Sequence, residues 1–268
     1  MLQYPVWQIG LFLVHMKEVQ WMARELVVKG FGNERIKAEL SEELIRRLTD
    51  YEGHCRDLEL TGALGRIGHF NVSIKAGMTY QQVMDEVRVL REAIEYDLQY
   101  RKFAYVPIEK AARLDKVEVE WADAIRAFPS AHDDIVAAVE CYALDCNTAC
   151  VFHSMRIAER GLRVLSKALK VKTIGPQKHP LEFAEWGQIL MALRGKLNAI
   201  QNSPGRNAKK SALAKFYADA ASQADYLNEI WRKEVSHARY AYNAPEALNA
   251  LTRTREFMLL LSQKLSER

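Results

Sequence analysis

A chain of 268 residues can bury a sizeable core in one domain or two. With 49% hydrophobic and 27% charged residues it reads as soluble and globular, which excludes a disordered or fibrous chain. The net charge of +4 fits an anionic partner but is far from a histone-like tail, so charge alone licenses no nucleic-acid function.

The apolar run from Pro5 to Val14 is about half of what a membrane span needs, and His15, Lys17 and Glu18 interrupt it. No basic stretch precedes it and no small-residue cleavage site follows, so it is expected to open a buried helix rather than a signal peptide. That helix covers 6–29 with Val6, Ile9, Leu13, Met16, Val19, Trp21, Leu26 and Val27 on its apolar side, and Gly30 and Gly32 end it. A second helix runs from about Glu34 into the 50s. TGALGRIG at 61–68 has the wrong spacing for a dinucleotide fingerprint and is expected to be a loop or a kinked helix end.

Thr79 and Gln82 make a capping box, and the helix they start reaches about Phe103. Residues 108–127 are charged and amphipathic; VEVEW at 117–121 alternates like a strand but is short and isolated. Phe128-Pro129-Ser130 is the expected boundary between a helical N-terminal region, 1–127, and a second domain, 128–268. Ser130 and Asp133 give a second capping signal, and Asp133 and Asp134 favour the positive helix start. The next 40 residues are helical, with a tight turn at Asp145-Cys146-Asn147-Thr148 that makes an antiparallel pair. Gly175, Pro176 and Pro180 place a loop at 171–182. A helix at 183–201 follows, with Phe183, Trp186, Ile189, Leu190, Leu193, Leu197 and Ile200 as its stripe. SPGRNAKKS is a basic turn, and a long helix from about Ala208 leads through Trp231. Asn243-Ala244-Pro245 breaks it, and Pro245-Glu246 opens the last helix. The expected class is all-α.

Cys55, Cys141, Cys146 and Cys150 show no disulfide framework, which points to a reducing cytoplasm. Cys150 and His153 are one turn apart, as some metal ligands are, but small cysteines buried in a helical core are the better reading. His15, His54, His69 and His132 form no constellation. No metal site and no cofactor are expected. What remains is Asn228–Tyr242, NEIWRKEVSHARYAY, where Arg232 and His237 stand with four residues between them: a fixed cation beside a group that carries protons near neutral pH.

With that pair and the helix order in hand, residues 130–268 resemble the HEPN superfamily. These are small all-α domains, many of them metal-independent endoribonucleases of toxin–antitoxin, CRISPR and phage-defence systems. RKEVSH matches the family's Arg–x4–His form, and AAVECYALDCNTACVFHSMRIAERGL looks like its opening helix pair, with Glu159 and Arg163 at the spacing many members show. The resemblance implies a HEPN-like bundle and a homodimer that faces two Arg–His pairs across a two-fold axis. It implies RNA as substrate, an antitoxin or regulatory protein as partner, and no membrane. Arg232 and His237 would be catalytic, with Lys233, Glu234, Ser236, Glu159, Arg156 and Arg163 in support. Lys178, Arg206, Lys209, Lys210 and Arg239 would contact RNA phosphates. Attack by the 2′-hydroxyl would leave a 2′,3′-cyclic phosphate. The alternative is a catalytically inactive HEPN module that binds RNA, a nucleotide or a protein; Lys233, where active members carry Asn, Asp or His, favours it. One geometric condition follows: residues five apart on a regular helix are about 140° apart around it, so either the helix bends or ends near Val235-Ser236, or the two act through the dimer partner's copies.

Overall fold

The computed structural model describes residues 6–171, 173–174, 179–202, 208–235 and 240–267. The fold is all-α, in two compact units that divide between Phe103 and Ala104. No helix among the described residues is long and apolar enough to cross a membrane.

The first unit holds α1 (Val6–Leu26), α2 (Ala38–Asp57), α3 (Thr61–Ala76) and α4 (Tyr80–Gln99). Helix α1 packs on α4, α4 on α3 and α3 on α2. Phe12, Met16, Leu44, Leu48, Ile67, Phe70, Val87 and Leu90 are the centre of its core. After α1 the backbone continues as a π-helical turn, Val27–Phe31, in which Gly30 adopts φ 93°. Trp21, expected on the buried side of α1, is exposed.

TGALGRIG is not a loop: it is the first half of α3. Ala63, Ile67, Phe70 and Ile74 recur at helical spacing and are buried, while Gly62, Gly65 and Gly68 lie on the exposed side. Burial of four apolar side chains outweighs a glycine cost of about 1 kcal/mol each. Asp97 of α4 also accepts a hydrogen bond from the Ala63 amide at 3.0 Å, a cap supplied from another helix. The Thr79 capping box forms as expected, Gln82 N to Thr79 Oγ1 at 3.3 Å and Thr79 N to Gln82 Oε1 at 2.9 Å. Thr79→Ala is expected to cost about 1 kcal/mol in urea unfolding.

Residues 104–127, which the boundary at 127/128 assigns to the N-terminal region, belong by packing to the second unit. They form α5 (Ile108–Asp115), α6 (Val117–Glu120, the VEVEW segment) and α7 (Ala122–Ala127). Leu114, Trp121 and Ala124 lie in the same core as Phe128 and Ile135.

Helices α8 (His132–Ala143) and α9 (Asn147–Ala168) make the expected pair, turned at Asp145 with φ 59°. Ser130 does not cap α8. Its amide donates to Glu267 Oε2 at 3.0 Å and its hydroxyl to Glu267 Oε1, so the carboxylate at this helix start comes from the far end of the unit. A small antiparallel pair, β1 (Thr173–Ile174) and β2 (His179–Pro180), lies within the expected loop. Then come α10 (Trp186–Asn202) and α11 (Ala208–Leu227). Phe183 precedes α10 and is 82% exposed, so it is not part of the stripe that buries Trp186, Ile189, Leu190, Leu193 and Leu197. A three-residue helix, α12 (Lys233–Val235), and a long one, α13 (Ala244–Ser262), complete the unit. Asn243 and Glu246 form a reciprocal capping box at the start of α13. Helix α9 is central, packing on α8, α10, α11 and α13.

Candidate functional site

Arg232 ends a second π-helical turn, Asn228–Arg232, which joins α11 to α12. The wider turn lets the adjacent Leu227 and Asn228 both point inward together with Trp231. Trp231 is well anchored. Its ring meets Tyr226 edge-on at 5.4 Å, and its carbonyl accepts from the Tyr242 hydroxyl at 3.5 Å. The Tyr242 amide in turn donates to Thr148 Oγ1, at the start of α9, at 3.3 Å. Both the π turn and α12 pack on α9. Residues 240–243 are not helical, so the helix that carries Arg232 has ended before Tyr240.

Arg232 is half-buried and Glu234 is exposed. His237, Ser236, Arg239, Lys178 and Arg206 lie outside the described residues, as do the side chains of Lys233 and Lys209. Lys210 is half-buried on α11.

The charged face of α9 is better defined. His153, Arg156, Arg160, Arg163 and Lys167 follow one another at steps of three, four, three and four, which places them along one strip of the helix. The rest of α9 is core: Cys150, Val151, Met155, Ala158, Leu162 and Leu165 are buried. Opposite the strip, in the first turn of α8, stands Asp134, only 5% exposed. Its Oδ1 lies 3.0 Å from His153 Nδ1 and 2.8 Å from Arg156 Nε; its Oδ2 lies 3.1 Å from Arg160 Nη2. Burial pushes the Asp134 carboxyl up, but hydrogen bonds from His153, Arg156 and Arg160 outweigh it and hold the group below the usual carboxylate range. Arg156 reaches outward over the exposed Phe152 ring, 5.9 Å from its centroid. Arg163 bonds Glu159 Oε1 at 2.6 Å and the Leu181 carbonyl, so the partner of Glu159 is Arg163 and not Arg156. Arg160, Arg163 and Lys167 continue into an open groove of about 510 Å³ that Ser130, Leu265 and Glu267 also line. On this face four permanent cations, Arg156, Arg160, Arg163 and Lys167, outnumber three carboxylates, Asp134, Glu159 and Glu267.

Sequence reasoning found Arg156, Glu159 and Arg163 but missed Asp134, His153 and Arg160 as a unit. The signal was present in the four–three–four spacing of the α9 cations, with His153 three residues before the first. What it lacked was the carboxylate, because two adjacent aspartates at a helix start look alike until one is buried. Cys150 is a core thiol, pushed up to about 12 by burial, and Cys55 is likewise pushed up to about 11. His15 and His54, unrelated in sequence, both line a groove of about 550 Å³ in the first unit with Arg46 and Arg47. Those two arginines are matched by Glu43 and Asp50, so that groove carries no surplus positive charge. Among the described residues no three His, Cys, Asp or Glu side chains gather as a metal site would need. Compared with known proteins, the chain matches no family model, no curated protein and no solved structure.

Proposed function

We propose that residues 104–268 bind RNA and cleave it without a metal ion, with Arg232 and His237 as the catalytic pair, in the manner of the HEPN superfamily. The observation that carries this reading is that the π turn holding Arg232, and α12 after it, pack on the cation-lined α9. A surface suited to phosphates thus lies on a helix that packs against the segment holding Arg232.

In this mechanism His237 takes the proton of a 2′-hydroxyl, whose oxygen attacks the adjacent phosphorus. Arg232 bonds the non-bridging oxygens as charge builds on the phosphorane. The 5′-oxygen leaves with a proton, giving a 2′,3′-cyclic phosphate and a 5′-hydroxyl. The second proton carrier is His237 of a second copy in a homodimer. Lys233, Glu234 and Ser236 flank the reacting group; Arg156, Arg163 and Glu159 on α9, with Lys178, Arg206, Lys209, Lys210 and Arg239, hold or orient the strand. A toxin or phage-defence role, with an antitoxin or regulatory protein as a further partner, belongs to the same reading. The second reading is a binding module without catalysis, which Lys233 favours over cleavage.

Total RNA and tRNA incubated with the chain in EDTA test this. Cutting by the wild type that is lost in both Arg232→Ala and His237→Ala, with the fold intact, supports the enzyme. RNA binding without cutting in all three supports the module. Neither binding nor cutting overturns both. Lys167 is exposed on the groove and bonds no described side chain, so Lys167→Ala leaves the fold untouched. It is expected to lower the salt dependence of RNA binding by about 0.7 in the log–log slope, the loss of one single-strand phosphate contact. An unchanged slope removes this groove from the interface.

A further inference from the structure

Helix α1 carries a second apolar stripe, directly opposite the one that packs on α4. Trp7 is 65% exposed, Val14 52% and Trp21 66%, at intervals of seven residues, and Val28 continues the series into the π turn. Leu11, beside Trp7, is exposed as well. The inner face of the same helix is already satisfied by Ile9, Phe12, Met16 and Ala23, all buried. Two exposed tryptophans in a line with two valines are far more apolar surface than a solvated helix face needs. A seven-residue interval supplies one of the two positions per heptad through which paired helices pack; the position three beyond it is Gly10, Lys17 and Arg24 here.

The edges of the stripe say what covers it. On an α-helix, the residue three beyond a stripe position lies about 60° to one side of it, and the residue four beyond about 40° to the other. For Val14 and Trp21 these are Lys17 and Arg24 on one edge, Glu18 and Glu25 on the other. Lys17, Glu18 and Arg24 are exposed and Glu25 is half-buried, and none forms an ion pair with another described residue. Rotation about a two-fold axis parallel to the helix sets the basic edge of one copy against the acidic edge of the other, on both sides of the seam. A two-fold perpendicular to the helix sets like edges together. A lipid surface asks for cations on both flanks, whereas here one flank is acidic. Gly10, three beyond Trp7, leaves the backbone open to close approach: a Cβ there would meet nothing within 4 Å.

We propose that α1 pairs with α1 of a second copy of this chain, parallel and in register, through Trp7, Val14, Trp21 and Val28, with Lys17 and Arg24 of each copy facing Glu18 and Glu25 of the other. The pairing is independent of the RNA reading and of any dimer made by the second unit.

Disulfide trapping in the full chain tests it. In register, the two copies of residue 14 face each other across the seam. In an antiparallel pair centred on the stripe, Val14 faces Trp21 instead. Val14→Cys is therefore expected to form a covalent dimer on mild oxidation, above the background of the parent chain with its own four cysteines. Lys17→Glu with Arg24→Glu, or Glu18→Lys with Glu25→Lys, added to Val14→Cys makes both edges alike. Each double exchange should lower trapping about tenfold, as several flanking pairs change from attraction to repulsion. All four exchanges together restore opposite edges and should restore the yield. No trapped dimer, or trapping indifferent to the half exchanges, overturns the proposal. So does a monomeric wild type that sediments with phosphatidylserine vesicles and loses this with Trp7→Glu and Trp21→Glu. Because the readout is local to α1, failure of RNA cleavage leaves it untouched.

Discussion

Asp134→Ala is expected to destabilise the second unit by about 2–3 kcal/mol, read as a lower midpoint in thermal and urea unfolding of the full chain. The carboxylate bonds three side chains of α9 at 3.0, 2.8 and 3.1 Å. Removing it leaves Arg156 and Arg160 side by side on one face with no counter-charge. The loss stays below the upper range for buried pairs because both arginines reach solvent and recover part of their hydration. The pH dependence has a definite sign. The folded group titrates below its unfolded value, so its contribution is complete above the ordinary carboxylate range of about 4 and disappears as pH falls through the lower folded value. The wild type should therefore lose stability more steeply than Asp134→Asn below about pH 4, and the two curves should be parallel above it. Equal acid limbs would mean that this carboxylate gains nothing from its three donors.

Gly161→Val is expected to cost about 3 kcal/mol or more, at the upper end for overpacked cores. Gly161 sits on α9 where α13 crosses. A Cβ there would lie 2.7 Å from Met258 Sδ, 2.8 Å from Leu261 Cδ1 and 3.1 Å from Phe257 Cε1. Those three side chains are themselves fully buried, so they have nowhere to withdraw. The added branch either opens the α9–α13 contact or forces unfavourable rotamers along it. Gly195 on α10 is the control: a Cβ there would meet nothing within 4 Å. Gly195→Ala should stabilise by about 0.5–1 kcal/mol through helix propensity alone. Both are read by urea unfolding; a neutral Gly161→Val would mean that α9 and α13 are less closely packed than the structure has them.

The same α9–α13 contact marks the limit of sequence reading. In the string NTACVFHSMRIAERGLRVLSKAL, Gly161 looks like a weak point in a helix, and only the approach of α13 makes it the residue that permits close packing. Where signals were local, reading succeeded. The Thr79–Gln82 box, the turn at Asp145 and the apolar stripe of α10 from Trp186 to Leu197 all depend on residues within one or two turns of each other. Where a partner came from afar, it failed. Glycines at 62, 65 and 68 argue for a loop until Asp97 caps the helix and Ile67 and Phe70 are buried against their neighbours. Ser130 looks like a cap until Glu267, 137 residues away, takes that role.

The candidate site divides in the same way. Arg232 and His237, five residues apart, are named together from sequence because their residue types and spacing lie in one short segment, and His237 lies outside the described residues. The cations of α9 are legible as a strip for the same reason. That the strip closes on a buried Asp134, and that Trp21 lies on the outer and not the inner face of α1, depended on packing. By itself the sequence determined the all-α class, most helix positions and the residue types available for phosphate chemistry, because helical periodicity and charge are carried by near neighbours. Only the tertiary structure decided where the units divide, which aspartate is buried and which apolar stripe is left uncovered. Those outcomes depend on which faces meet across long stretches of chain, and a linear pattern holds no term for that.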